Sequence, residues 1–167
     1  VVYLEPAIGT AKEVPPTLLG RDSRYFYFAQ AVDDGQHDDL LAFRPGAKFL
    51  DLRTASIELH EKHAGILAYA KALLYWQYRN AFCGSCGARN RLESAGHRLN
   101  CSNPDCGRES FPRIDPAIIV LVTHGDACLL GRNAQWPERR FSTLAGYVEP
   151  GESLEDAVTR EVFEEAC

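Results

Sequence analysis

GYVEPGESLEDAVTREVFEEAC, residues 146–167, sets seven carboxylates among 22 residues and stops inside a helical pattern. Pro150-Gly151 makes a turn, and Ser153 followed three residues later by Asp156 is a capping-box-like helix start. On a wheel of about 3.6 residues per turn, Leu154, Ala157, Val158 and Val162 share one side of that helix. Glu161 and Glu165 project in the same sector, with Glu164 at its flank. An ordinary solvated acidic face would put its glutamates opposite the valines. Like charges four residues apart repel modestly in water and more strongly when partly buried. Unpaired inward carboxylates are costly, so the pattern calls for a cation between them. Hard oxygen donors suit Mg2+ or Mn2+, and Mg2+ typically keeps waters and bridges to a phosphate-bearing substrate. Arg160, adjacent to Glu161, is placed to orient one carboxylate.

Working back from this helix, AIIVLV (117–122) reads as a buried strand. ACLLG (127–131) reads as its hairpin partner across His124-Gly125-Asp126, and 141–145 as a third strand. Strands followed by a helix indicate a mixed α/β domain, with Cys128 in its core. Upstream, CGSCG and CSNPDCG carry Cys83, Cys86, Cys101 and Cys106 in two knuckles 14 residues apart, each with a glycine beside a cysteine. No secretion signal precedes them, and cysteines clustered in this way favour a metal over disulfides. Four thiolates suit tetrahedral Zn2+, and a site filled entirely by protein is structural. A disulfide or iron–sulfur arrangement is the alternative. Arg89, Arg91, Arg98 and Arg108 lie in this module without a stacking array of aromatics, which favours a scaffold over a nucleic-acid surface. Cys167 has no reading.

Residues 57–80, IELHEKHAGILAYAKALLYWQYRN, carry Ile57, Leu59, Ala64, Leu67, Ala70, Leu73, Leu74 and Trp76 at helical spacing, which predicts one linker helix. His60 and His63 lie one turn apart with no further ligand type beside them, and read as exposed helix residues. Before the helix, 21–32 with Tyr25, Phe26, Tyr27 and Phe28 predicts a strand, DDGQHDD (33–39) a solvated loop, and LLAFR (40–44) a strand or turn. This is the pattern of a small α+β scaffold or dimerisation domain without a catalytic motif. The 167 residues are 46% hydrophobic and 25% charged with net charge −5, which disfavours a bulk polyanion-binding surface. No apolar run approaches the ~20 residues of a membrane span, and no signal peptide is visible, so a cytoplasmic location is expected. The lack of methionine and of a C-terminal helix stop predicts an incomplete chain.

Gly146, five residues, Glu152, seven residues, then Arg160-Glu161-Val162-Phe163-Glu164-Glu165 resembles the Nudix box, the signature of Nudix hydrolases. Cys167 stands where that signature has glycine. FCGSCGARN, the second knuckle, FPRIDPAIIVLV, LLGR and LAGYVEPGESLEDAV, in that order, resemble the zinc-ribbon NADH pyrophosphatases over about 57–167. The resemblance implies an α/β fold: a Nudix α/β/α sandwich, incomplete here, over 113–167. A zinc ribbon (81–112) and a small α+β N-terminal domain with linker helix (1–80) would precede it, in a homodimer. It further implies divalent-metal-dependent cleavage of the pyrophosphate of NADH or NAD+ to (reduced) nicotinamide mononucleotide and AMP, and removal of NAD caps from RNA. Carried over by position, Glu161, Glu164 and Glu165 would hold Mg2+ or Mn2+ and supply the base, with Arg160 in the catalytic set. The backbone near Gly146 would complete the site. Tyr147, where the family usually has Phe, and Phe111, where Tyr is common, would contact a nucleotide base. The family's Ser-Gln-Pro-Trp segment and a later metal-binding glutamate are not within 1–167. Two rival readings stand beside this one. One is a zinc-ribbon nucleic-acid-binding or regulatory protein with a vestigial Nudix core. The other is a Nudix hydrolase of a different nucleoside diphosphate derivative.

Overall fold

The computed structural model describes residues 15–32, 38–39, 41–42, 46 and 48–166. The chain divides into two compact units, Val1–Arg113 and Ile114–Cys167. The first opens with an antiparallel hairpin, β1 (Thr17–Arg21) against β2 (Phe26–Ala29). Asp22 builds the turn between them. Its Oδ1 accepts the N–H groups of Arg24 and Tyr25 at 2.8 Å each, and its Oδ2 accepts the Tyr27 hydroxyl at 2.7 Å. Lys62 donates to the same Oδ2 at 2.5 Å, and with these turn bonds it holds the Asp22 carboxyl well below the usual range. The strand expected over 21–32 is therefore split by a turn. The loop and strand expected over 33–44 lie mostly outside the described residues; Asp38, Asp39, Leu41 and Ala42 are helical.

The single helix expected over 57–80 is two helices. α1 (Leu52–Glu58) is capped by Asp51 and ends at Leu59, whose backbone is extended. His60 then caps α2 (Glu61–Arg79), its Nδ1 accepting the Lys62 N–H at 3.2 Å. A ring nitrogen doing the work of a capping oxygen breaks the run where apolar periodicity alone continues it. Ile57 is consequently 84% exposed, and the buried face of α2 is Leu73 and Trp76. After α2 comes a three-stranded antiparallel ribbon in the order β3 (Asn90–Glu93), β4 (Arg98–Cys101), β5 (Glu109–Ser110). The Asn90 amide donates to the Asn80 carbonyl at 2.8 Å, fastening the ribbon to the end of α2.

A buried polar junction closes this unit. Thr17 is 1% exposed, and the Gln77 amide donates to its Oγ1 at 2.8 Å and to the Gly96 carbonyl at 2.9 Å. Gly96 adopts φ 101°, and a Cβ there would come within 2.5 Å of the Thr17 side chain. Strand, helix and ribbon turn thus meet at three side-by-side residues.

In the second unit, β6 (Ala117–Val120) pairs antiparallel with β9 (Leu144–Tyr147), placing Ile118 opposite Gly146. α3 (Leu154–Ala166) packs on both strands, with Ile118, Leu144 and Ala157 buried. Between β6 and β9 a short hairpin joins β7 (Thr123–His124) to β8 (Ala127–Cys128) through Gly125 at φ 56°. The hairpin turn stands where the sequence predicts it, but 117–120 takes β9, not ACLLG, as its partner. The non-local pair wins because it sets Ile118 and Leu144 under α3. The third strand runs over 144–147, not 141–145. Ile119 is 74% exposed, so the strand expected to be buried is buried on one face only. Cys128 is exposed rather than in the core, because β8 is two residues long and lies outside the β6–β9 pair. Among the described residues no helix is long and apolar enough to cross a membrane.

Candidate functional site

The two knuckles bring their cysteines together. The sulfurs of Cys83, Cys86, Cys101 and Cys106 all lie within 4.8 Å of one another, with Cys86–Cys101 at 3.4 Å and Cys83–Cys106 at 3.8 Å. A disulfide needs about 2 Å, whereas a tetrahedron with metal–sulfur bonds of about 2.3 Å has sulfur–sulfur edges near these values. The quartet fits a zinc ion. Each knuckle closes by backbone bonds on its glycine: Gly87 N–H to the Cys83 carbonyl and Gly107 N–H to the Asn103 carbonyl, both 2.9 Å, with φ 74° and 54°. The Ser85 and Cys86 amides draw the Cys83 thiol down to about 6, while burial pushes Cys101 up to about 12. Thiols in this arrangement ionise together only when a cation shares their charge.

The second constellation is built by the turn before α3. The Ser153 hydroxyl accepts the Asp156 N–H at 3.1 Å and donates to the Asp156 carboxylate at 2.7 Å, the capping arrangement predicted from sequence. Glu152, last residue but one before the helix, turns back. It accepts Arg160 Nε and a terminal guanidinium nitrogen on its two oxygens, both at 2.9 Å, and the Glu149 N–H at 3.0 Å. This bidentate geometry is the strong form of a carboxylate–guanidinium pair. Arg160 also donates to the Tyr147 carbonyl at 2.9 Å and to Glu161 at 2.7 Å. Arg160 and the Glu149 amide pull the Glu152 carboxyl down, and Glu152 then Glu161 raise the guanidinium further. The Glu161 side chain, 13% exposed, lies over Gly146, where any Cβ would fall on its carboxylate. Only glycine leaves that space open.

Three expectations are therefore sharpened or corrected. Glu161 faces inward, as the wheel predicts, but it is paired with Arg160 instead of standing unpaired. Glu165 is exposed, as is Glu164, because the last turn of α3 runs past the two strands it packs against. Among the described residues the cysteine quartet is the one group of three or more His, Cys, Asp or Glu ligand atoms close enough to share a metal, so the glutamates are not gathered. Tyr147 is 70% exposed at the end of β9, and Phe111 is 54% exposed in the first unit. Cys167 lies outside the described residues. Glu152 is the participant that sequence reasoning left without a role, although it is a fixed position of the signature eight residues before Arg160.

The NUDIX domain matches residues 113–167, the segment holding the Gly146, Glu152, Arg160 and Glu161 cluster. The chain belongs to the Nudix family. The NADH pyrophosphatase-like rudimentary NUDIX domain matches residues 3–76. Among relatives of this Nudix chain is the human NAD-capped RNA hydrolase NUDT12, 43% identical over 120 residues, covering 67% of this chain and 26% of the relative. The NAD-capped RNA hydrolase NudC of Stutzerimonas stutzeri is 42% identical over 127 residues, covering 76% and 45%. Nudix hydrolase 19, chloroplastic, of Arabidopsis thaliana is 42% identical over 125 residues, covering 70% and 28%. The Nudix chain thus spans between about a quarter and a half of the length of these relatives.

Proposed function

We propose that this protein is a divalent-metal-dependent hydrolase that cuts the pyrophosphate bond of NAD(H), releasing (reduced) nicotinamide mononucleotide and AMP, and that removes NAD caps from RNA. The observation that carries the reading is the Arg160 clamp. One guanidinium fixes Glu152, Glu161 and the Tyr147 carbonyl together, so a helix carboxylate is held over the backbone at Gly146. The names of its relatives support the choice of substrate.

In this reading Glu161, Glu164 and Glu165, at i, i+3 and i+4 on one edge of α3, hold Mg2+ or Mn2+. The bound ion lowers the pKa of water and neutralises charge on the pyrophosphate oxygens. Glu165, being exposed, is free to turn toward a cation and to accept the proton of the attacking water, and Glu164, also exposed, lies 3.6 Å from the Arg160 guanidinium. Arg160 is a positioning residue, since its donors are engaged by protein acceptors. Tyr147 offers an exposed ring for stacking on a nucleotide base, and the exposed ring of Phe111 is suited to the same kind of contact. The cysteine quartet holds structural Zn2+. The protein is a cytoplasmic homodimer, and 1–80, 81–112 and 113–167 are its N-terminal domain, ribbon and Nudix segment.

The test is incubation of full-length protein with NADH and Mg2+ or Mn2+, following AMP by chromatography. Glu165→Gln is expected to lower kcat by at least about 100-fold with the fold intact. Absence of AMP release, or an unchanged rate in this variant, would sink the assignment. Cleavage of a nucleotide sugar in preference to NADH would keep the chemistry and change the substrate.

A further inference from the structure

Between β8 and β9 the chain makes a closed ten-residue loop, 132–141, whose base is pinned by Gly131 and Ser142. Their reciprocal backbone bonds are 2.8 and 2.9 Å. Two turns shape it: the Trp136 N–H donates to the Asn133 carbonyl at 3.0 Å, and the Arg140 N–H to the Pro137 carbonyl at 3.2 Å. They stack the Arg140 guanidinium 5.5 Å from the centre of the Trp136 ring. Arg132 donates to the Trp136 carbonyl at 3.1 Å, bringing a second guanidinium to the same place. Arg139 takes φ 67°, a conformation that side-chain-bearing residues seldom adopt. Every residue from 132 to 140 is exposed.

The loop gathers three guanidiniums that no carboxylate among the described residues engages. Arg98 and Arg160 are engaged by carboxylates. Arg132, Arg139 and Arg140 form no ion pair with any described residue, and Glu138 is the one carboxylate within the loop. Unpaired guanidiniums beside an indole that keeps 36% of its surface open are the ingredients of a platform for single-stranded nucleic acid: cations for the backbone, a ring for a base. Position selects the substrate form. Ser142 is four residues before Gly146, so the base of the loop lies roughly 13 Å along the chain from the proposed site of cleavage. A free dinucleotide has only its own two phosphates, and that site takes both. Phosphates reach the loop only when the substrate continues beyond the dinucleotide.

We infer that the 132–141 loop is the binding surface for the RNA that follows an NAD cap, with Arg132, Arg139 and Arg140 on its phosphates and Trp136 under a base. The inference rests on the pyrophosphatase reading for its substrate, but the loop can be tested without catalysis. Full-length wild type, Arg132→Ala/Arg139→Ala/Arg140→Ala and Trp136→Ala would be compared on three substrates: NADH, an NAD-capped RNA of about 30 nucleotides, and the same RNA uncapped and fluorescently labelled. The triple variant is expected to lose about tenfold or more in kcat/KM on capped RNA while NADH hydrolysis stays within about twofold. Its affinity for uncapped RNA falls too, and the slope of log affinity against log salt becomes shallower by about 2, three contacts at roughly 0.7 each. Trp136→Ala weakens RNA binding without changing that slope. Equal losses on NADH and capped RNA would assign the loop to the dinucleotide and overturn the inference, as would unchanged RNA binding in both variants. A wild type that cleaves neither substrate refutes the pyrophosphatase reading alone, since the uncapped-RNA titration still decides the loop. Unchanged circular dichroism melting excludes misfolding as the cause of any loss.

Discussion

Gly146 owes its identity to Glu161. The carboxylate occupies the volume where a methyl group would stand, so Gly146→Ala must expel it and undo its contact with Arg160. NADH hydrolysis is expected to fall by about 100-fold or more, as small displacements of a catalytic group commonly do, with circular dichroism unchanged. Glu152 makes a prediction of a different kind. Its folded-state pKa is depressed below the ordinary value of 4.5, so near pH 4 the unfolded chain binds more protons than the folded one. The stability supplied by this carboxylate is full above pH 4.5 and is lost as pH falls through the lower folded value. Urea titrations of wild type and Glu152→Gln across this window are expected to show a wild-type acid slope that the variant lacks in part; parallel curves would contradict the pairing. Neither residue was fully legible in sequence. A helical wheel sees α3 alone, and both the glycine under Glu161 and the glutamate clamping Arg160 come from the segment before it.

At the scale of elements, local signals were readable and non-local ones were not. Ser153 and Asp156 lie three apart and announced their cap; the four cysteines announced their cluster by spacing. His60 gave no such notice, because histidine is an unusual cap and the apolar run continues through it. The β6–β9 pair escaped for the opposite reason: its partners are 24 to 30 residues apart, while Gly125-Asp126 supplies an attractive local turn. Burial now ranks the strands. Leu144→Ala, which hollows the contact with α3, is expected to cost about 2–5 kcal/mol. Ile119→Ser, on the exposed face of β6, is expected to stay within about 0.5 kcal/mol. Chemical denaturation that found the two equally costly would mean that the Ile119 face is also covered.

Across the whole molecule, metal chemistry separates by donor. The first unit offers four soft sulfurs and the second offers carboxylate oxygens, so the two do not compete for one ion. Elemental analysis is expected to find about one zinc per chain, and none with Cys101→Ser. A thiol-reactive mercurial should release that zinc and unravel the ribbon, whereas removal and return of Mg2+ should leave near-ultraviolet circular dichroism unmoved. Zinc loss without any spectral change would argue against a structural ion.

The junction of Thr17, Gln77 and Gly96 also sets a timetable. Thr17 is made early, yet the amide that satisfies its hydroxyl is 60 residues later, and the carbonyl that shares this amide is 19 residues later still. During synthesis the hairpin must therefore emerge with a polar group it cannot yet bury, and wait for the helix and then the Ser94–Gly96 turn of the ribbon to arrive. The β1–β2 hairpin leaves the ribosome before the helix and ribbon turn it packs against, and settles only after them.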